Sequence, residues 1–145
     1  MSVQNKLIAL CHLLSEKNLD GVIIPHTDEF GSEYLPPNAE RLAWLTGFTG
    51  SSGAAIVLAD TAMVMTDGRY TIQIQNQVDG SLFDICDMAN VTLGDWLVAH
   101  AQAGQMIGFD PKLHTKKQMD TLRDKVSALN IQLIPLERNL IDAVW

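Results

Sequence analysis

Residues 46–70 read TGFTGSSGAAIVLADTAMVMTDGRY, and the parsing of this run decides the fold. Glycine recurs at every third position, Gly47, Gly50 and Gly53, and two β-prone runs follow, Ala54 to Ala59 and Ala62 to Thr66. Asp60-Thr61 between them marks a tight turn, so the two runs are expected to form a hairpin. The segment closes on Thr66-Asp67-Gly68-Arg69-Tyr70. A phosphate cradle places its glycines after a strand and before a helix, so that backbone N–H groups face the anion. Here the order is reversed. A short helix, capped by Asn38 and running through Leu45, precedes the glycines, and a strand follows them. No Gly-Lys-Ser/Thr ends the loop, so nucleotide binding is set aside. The glycines are read as sites of positive-φ turning and close backbone approach where a helix feeds the sheet.

Outward from this run, strands and helices alternate. Val3, Leu7, Leu10, Cys11 and Leu14 share one helical face, in a pattern that ends near Asn18 and Gly21. Val22 to Ile24, stopped by Pro25, has the continuous apolar character of a strand buried on both faces. Downstream, Tyr70 to Val78 reads as a helix and Leu82 to Cys86 as a strand. Thr92 with Asp95 forms a capping box for a helix that turns Leu93, Trp96, Leu97 and Ala101 inward. Met106 to Phe109 is a strand ended by Asp110-Pro111. Thr115 with Gln118 caps a helix whose apolar face is Met119, Leu122, Val126 and Leu129. Ile131 to Ile134 is the last strand, stopped by Pro135. The alternation predicts a three-layer α/β/α sandwich, and the hairpin makes its sheet of five to six strands mixed rather than all parallel.

The chain has 145 residues, enough for one domain with its own core. Its net charge of −7 and pI near 4.8 leave no clustered basic face, which argues against nucleic acid as a partner. No apolar run approaches the roughly 20 residues of a membrane span, and the N-terminus lacks the apolar core of a signal peptide. Cys11 and Cys86 make no disulfide framework, so a reducing cytoplasm is the expected location. The end of the chain presents Leu140, Ile141, Val144 and Trp145 after the last strand. Either a terminal helix packs back onto the domain, or the natural chain continues beyond it.

Ser51 and Ser52 invite a nucleophile reading, yet a nucleophile elbow is a strand-to-helix turn with a histidine base and an acid behind it. His12, His26, His100 and His114 fall on separate elements with nothing to pair them with either serine. No histidine pair at helical spacing and no Cys-x-x-Cys suggests a metal. Arg69 stands apart. At the start of the helix after the hairpin, where Gly68 would turn the backbone sharply, its guanidinium is a permanently charged fork suited to a carboxylate or a peptide carbonyl. The competing reading, which the residues alone favour, is an internal ion pair with Asp67 or another acid.

Three separated motifs carry a resemblance. The run from Arg41 to Gly53, RLAWLTGFTGSSG, the Thr66-Asp67-Gly68-Arg69-Tyr70 element, and the closing LIPLERNLIDAVW of residues 133–145 resemble, in that order, the N-terminal domain of Xaa-Pro aminopeptidases of the creatinase/prolidase superfamily. Ser32-Glu33-Tyr34, Gly108 to Pro111 and Asp95-Trp96-Leu97 fit the same pattern. Ser52, where family members commonly carry alanine, is a minor departure.

The resemblance implies a creatinase-type N-terminal domain over residues 1–135, with a ribonuclease H-like motif, and a junction helix over 136–145 leading to a catalytic domain absent from this chain. That domain would hold two divalent metal ions, usually manganese, on two Asp, one His and two Glu, for cleavage of the peptide bond before proline. None of those ligands maps onto this sequence, so the 145 residues alone are expected to be inactive and to contain no catalytic residue. Arg69 maps onto the family arginine implicated in binding peptide substrate, which reverses the preference for an internal ion pair. The implied partners are peptides with proline in second position, the chain's own catalytic domain and a second copy in a homodimer. The alternatives are a free-standing peptide- or protein-binding module, which would end near Trp145, or the N-terminal domain of a prolidase or creatinase.

Overall fold

The computed structural model describes residues 1–145. Six strands form one sheet: β1 (Gly21–Pro25), β2 (Ala54–Leu58), β3 (Ala62–Thr66), β4 (Asp84–Asp87), β5 (Met106–Phe109) and β6 (Gln132–Pro135), in the spatial order β4-β3-β2-β1-β5-β6. The β2-β3 hairpin is closed by Leu58 N–H donating to the Thr61 carbonyl at 2.8 Å. β1 runs antiparallel to β2 and parallel to β5, while β3 is parallel to β4 and β5 to β6, so the sheet is mixed.

Strand residues alternate between two cores. Val22, Ile24, Ala55, Val57, Ala62 and Val64 face one layer, made by α1 (Val3–Glu16), α2 (Arg41–Thr46), α3 (Thr71–Gln77) and α6 (Leu140–Val144). Ile23, Ala54, Ile56, Leu58, Met63 and Met65 face the other, made by α4 (Leu93–His100) and α5 (Lys116–Val126). The period-2 pleat thus sends successive side chains of β1, β2 and β3 into opposite layers, which is why these strands are apolar throughout. The result is the expected three-layer sandwich with six strands.

Both capping boxes form as predicted. Thr92 accepts from Asp95 N–H while the Asp95 carboxylate accepts from Thr92 N–H, and Thr115 and Gln118 do the same for α5. The terminal segment folds back: Leu140 and Ile141 are buried in the core shared with α1 and α2, and Trp145 stacks on Trp44 at 5.7 Å between centroids. Each such burial stabilises by roughly 2 kcal/mol.

Three local expectations fail. Asn38 does not cap α2, because Pro36 and Pro37 start a 3-10 turn over Pro37–Ala39 and the helix begins only at Arg41, with Glu40 at its cap position. The fourth strand starts at Asp84 rather than Leu82, since Asp79 accepts from Ser81 N–H and draws Leu82 and Phe83 into a turn. Gly68 needs no special backbone: its φ is not positive and a Cβ there would meet nothing within 4 Å. It opens a 3-10 turn over Gly68–Tyr70, at the end of an interior strand, with β4 forming the sheet edge.

Candidate functional site

The glycine loop is held from below. Thr46, fully buried, donates its hydroxyl to the Leu42 carbonyl at 2.8 Å and accepts from Phe48 N–H, and Gly47 takes φ 84° as the left-handed residue ending α2. Gly50 lies on the ring of buried Phe48, where a Cβ would overlap the aromatic carbons. A Cβ at Gly53 would sit 2.7 Å from the Met65 carbonyl oxygen. The turning and close-approach roles read from the sequence therefore hold at these three positions. Thr66 then ties the hairpin to the loop by donating to the Ser52 carbonyl at 2.6 Å.

This clamp delivers Asp67, Arg69 and Tyr70 to the C-terminal end of β3. Asp67 caps the 3-10 turn by accepting from Arg69 N–H at 3.0 Å. The Arg69 guanidinium folds onto the same carboxylate, Nε to Oδ1 at 3.1 Å and Nη2 to Oδ2 at 2.9 Å. Those hydrogen bonds hold the Asp67 carboxyl at a pKa of about 2 and raise that of Arg69. The internal ion pair is thus real, and the arginine is also available: its side chain is 62% exposed. Tyr70 carries the guanidinium over its ring at 5.1 Å and meets the Ser51 hydroxyl at 2.6 Å, a bond that lowers the phenol pKa.

Arg69 lines a cleft of about 360 Å³ with Glu33, Glu40, Ser51, Tyr70 and His26. His26 enters because β1 pairs with β2: its N–H donates to the Gly53 carbonyl at 2.8 Å, just beyond the last ladder pair of Pro25 with Ala54. Sequence reasoning singled out Arg69 and treated His26 as one scattered histidine. It missed Glu33, Glu40 and Tyr70 as members of one site, although a histidine directly after a strand-ending proline was a usable signal. A second, wider groove of about 1120 Å³ runs between the loop after β1 and helices α4 and α5.

Neither serine becomes a nucleophile. Ser51 pairs with Tyr70, and the Ser52 hydroxyl reaches the Met88 sulfur at 4.0 Å and contributes to holding the Asp67 carboxyl ionised. His100 stacks on Trp96 and His114 packs edge-on to Phe109, and neither makes a hydrogen bond to a serine. No group of three or more His, Cys, Asp or Glu residues converges in a way that could hold a metal ion. The residues present therefore do not fit a dinuclear centre. No helix is long and apolar enough to cross a membrane.

A mixed sheet with a helix-glycine-loop-hairpin clamp and an Asp-Gly-Arg-Tyr turn at its strand ends defines the class of fold. The chain belongs to the creatinase/prolidase N-terminal domain family, whose model matches residues 6–144. Within it, the chain is 37% identical over 139 residues to human Xaa-Pro aminopeptidase 2, a match covering 96% of this chain and 21% of the human protein. It is 35% identical to the Xaa-Pro aminopeptidase of Drosophila melanogaster, covering 88% of this chain and 21% of that protein. Among solved structures, X-prolyl aminopeptidase from Caenorhabditis elegans, described as a cytosolic enzyme with a di-nuclear active site, superposes with a TM-score of 0.92 at 31% identity, covering all of this chain and 26% of that one. The N-terminal domain of the cytoplasmic peptidase PepQ from Mycobacterium tuberculosis superposes at 0.73 with 25% identity, covering 97% and 98%. The chain spans about a fifth of the length of the curated relatives it matches.

Proposed function

We propose that these 145 residues are the substrate-side N-terminal domain of an Xaa-Pro aminopeptidase, and that Arg69 contacts the peptide. The observation that carries the reading is the state of Arg69: two of its nitrogens are fixed on Asp67 while Nη1 has no partner, on a side chain 62% exposed at a polar cleft. A guanidinium so held is oriented before a ligand arrives, and its spare N–H groups suit a peptide carbonyl or carboxylate. Asp67 neutralises the charge locally, so the contact is directional rather than a general attraction for anions.

The chemistry of hydrolysis belongs to a downstream domain. The absence here of any three-residue metal cluster and the di-nuclear centre described for the C. elegans enzyme support that division of labour. Two divalent ions, manganese by family resemblance, would polarise the scissile bond there. This chain's residues bind, orient and shape the entrance for a peptide with proline in second position. Residues 136–145 serve as the junction to that domain. A cytoplasmic homodimer is the expected form, with the cytosolic description of the nematode enzyme in favour of the location. The test is Arg69→Ala in the full-length enzyme: kcat/KM on Xaa-Pro peptides should fall by the equivalent of about 1.5–3 kcal/mol, the worth of a hydrogen bond to a charged group. An unchanged value would remove Arg69 from the substrate contact.

A further inference from the structure

The cleft holds a mismatch of polarity at its inner end. The His26 side chain is only 4% exposed. Its Nε2 lies 3.5 Å from the Glu33 carbonyl oxygen, which can only accept, so in the neutral ring this contact places the proton on Nε2 and leaves Nδ1 as an acceptor. Nδ1 faces Glu40 Oε2 at 3.9 Å, and both atoms are buried without a hydrogen-bond partner. With the His26 ring neutral, two acceptors, one of them a carboxylate oxygen, sit side by side with no donor between them. Leaving both unsatisfied carries the full desolvation cost of each.

We propose that this pair of acceptors is a binding site for a primary ammonium group of a peptide. A nitrogen about 2.9 Å from each acceptor closes the 3.9 Å gap with two N–H donors, which a primary ammonium supplies and a quaternary one does not. The surrounding charge favours a cation: Glu33, Glu40 and Asp67 stand against Arg69 alone, and Arg69 is already paired with Asp67. The neutral donor on the same wall, the Gln73 amide, is spent on Thr49 and Gln77 at 3.1 and 3.2 Å. The cleft thus has acceptors at His26 and Glu40 and spare donors at Arg69, a polarity that matches a peptide's ammonium and its carbonyl groups. The assignment of the ligand as a peptide rests on the function proposed above, whereas the ammonium site itself rests on the two unpartnered acceptors.

A peptide offers this group in two places, its N-terminus and a lysine side chain. His26 nitrogen shifts in the 145-residue chain, read by long-range ¹H–¹⁵N NMR correlation, distinguish them. Ala-Pro-amide probes the N-terminal ammonium, Nα-acetyl-lysine-amide the side-chain one, and tetramethylammonium controls for charge without donors. The expected result is a Nε2-protonated His26 in the free chain, with a saturable Nδ1 shift for at least one primary ammonium probe and none for tetramethylammonium. The probe that saturates at lower concentration identifies the source. Glu40→Gln should weaken that binding by about tenfold or more, because the charged acceptor is replaced by a neutral amide of the same shape. Glu40 makes no capping hydrogen bond, so this variant is expected to fold normally. No saturable shift with either probe, an equal response to tetramethylammonium, or a proton on Nδ1 in the free chain would overturn the proposal. The ammonium site is read from the His26 shifts and their loss in Glu40→Gln, and the Arg69 contact from kcat/KM of Arg69→Ala in the full-length enzyme, so the two readings fail independently.

Discussion

The Arg69 guanidinium grips the carboxylate of Asp67, two residues earlier in the same turn, with Nη2 to Oδ2 at 2.9 Å and Nε to Oδ1 at 3.1 Å. Because Asp67 also caps the turn through Arg69 N–H, backbone and side chain of the arginine are fixed by one group. Asp67→Asn keeps an acceptor for the cap and removes the ionic half of the fork. In the full-length enzyme this variant should lose roughly threefold to tenfold in kcat/KM, less than Arg69→Ala, because the guanidinium remains but is no longer held in place. Steady-state kinetics of both variants on one Xaa-Pro peptide series check this ordering.

Acid titration gives a second prediction. Asp67 and Asp95 are each held at a pKa of about 2, the first chiefly by Arg69 and the second chiefly by Lys125, whose Nζ is 2.8 Å away. Both values lie below the roughly 3.9 of an unfolded Asp, so their contribution to stability is complete above pH ~4 and drains away as pH falls toward 2. Side-chain carboxyl ¹³C shifts should show both groups still ionised at pH 3. Midpoints near 4 for either group would mean that its ion pair is not formed in solution.

Two glycines of the opening run should behave oppositely. Gly53→Ala places a methyl 2.7 Å from the Met65 carbonyl oxygen, a backbone atom that cannot step aside without moving the hairpin. A loss of about 1–3 kcal/mol in urea denaturation is expected. Gly68→Ala meets open space and a φ that is not positive, so stability should be unchanged or raised by about 0.5 kcal/mol through the unfolded chain.

The terminal helix is fastened by Arg41, which donates to Asp142 from Nε at 2.7 Å and from Nη2 at 3.1 Å, with its own side chain 16% exposed. Arg41→Ala should cost about 1.5 kcal/mol. Arg41→Lys should recover little, since an ammonium cannot reproduce the fork. Trp145, stacked on Trp44, offers the fluorescence signal that reports release of this helix before global unfolding.

What the sequence alone settled about this protein was everything governed by neighbours along the chain. The two capping boxes, at Thr92 with Asp95 and at Thr115 with Gln118, need only a turn of helix to be satisfied, and both formed as read. The hairpin turn at Asp60-Thr61, the helix-before-glycine order that argued against a phosphate cradle, and the family motifs are local in the same sense. Local chemistry misled where two signals competed, since Pro36-Pro37 overrode Asn38 as a cap and the Asp79 turn overrode the apolar run at Leu82, and at Gly68, where ordinary backbone suffices. The tertiary structure alone decided the site. His26, Glu40, Ser51 and Arg69 lie on four different elements, and they meet because β1 inserts antiparallel beside β2, setting His26 against Gly53 while Thr66 pins β3 to the glycine loop. Strand order is fixed by pairing across the sheet and burial on both its faces, interactions between residues far apart in sequence that no local pattern encodes.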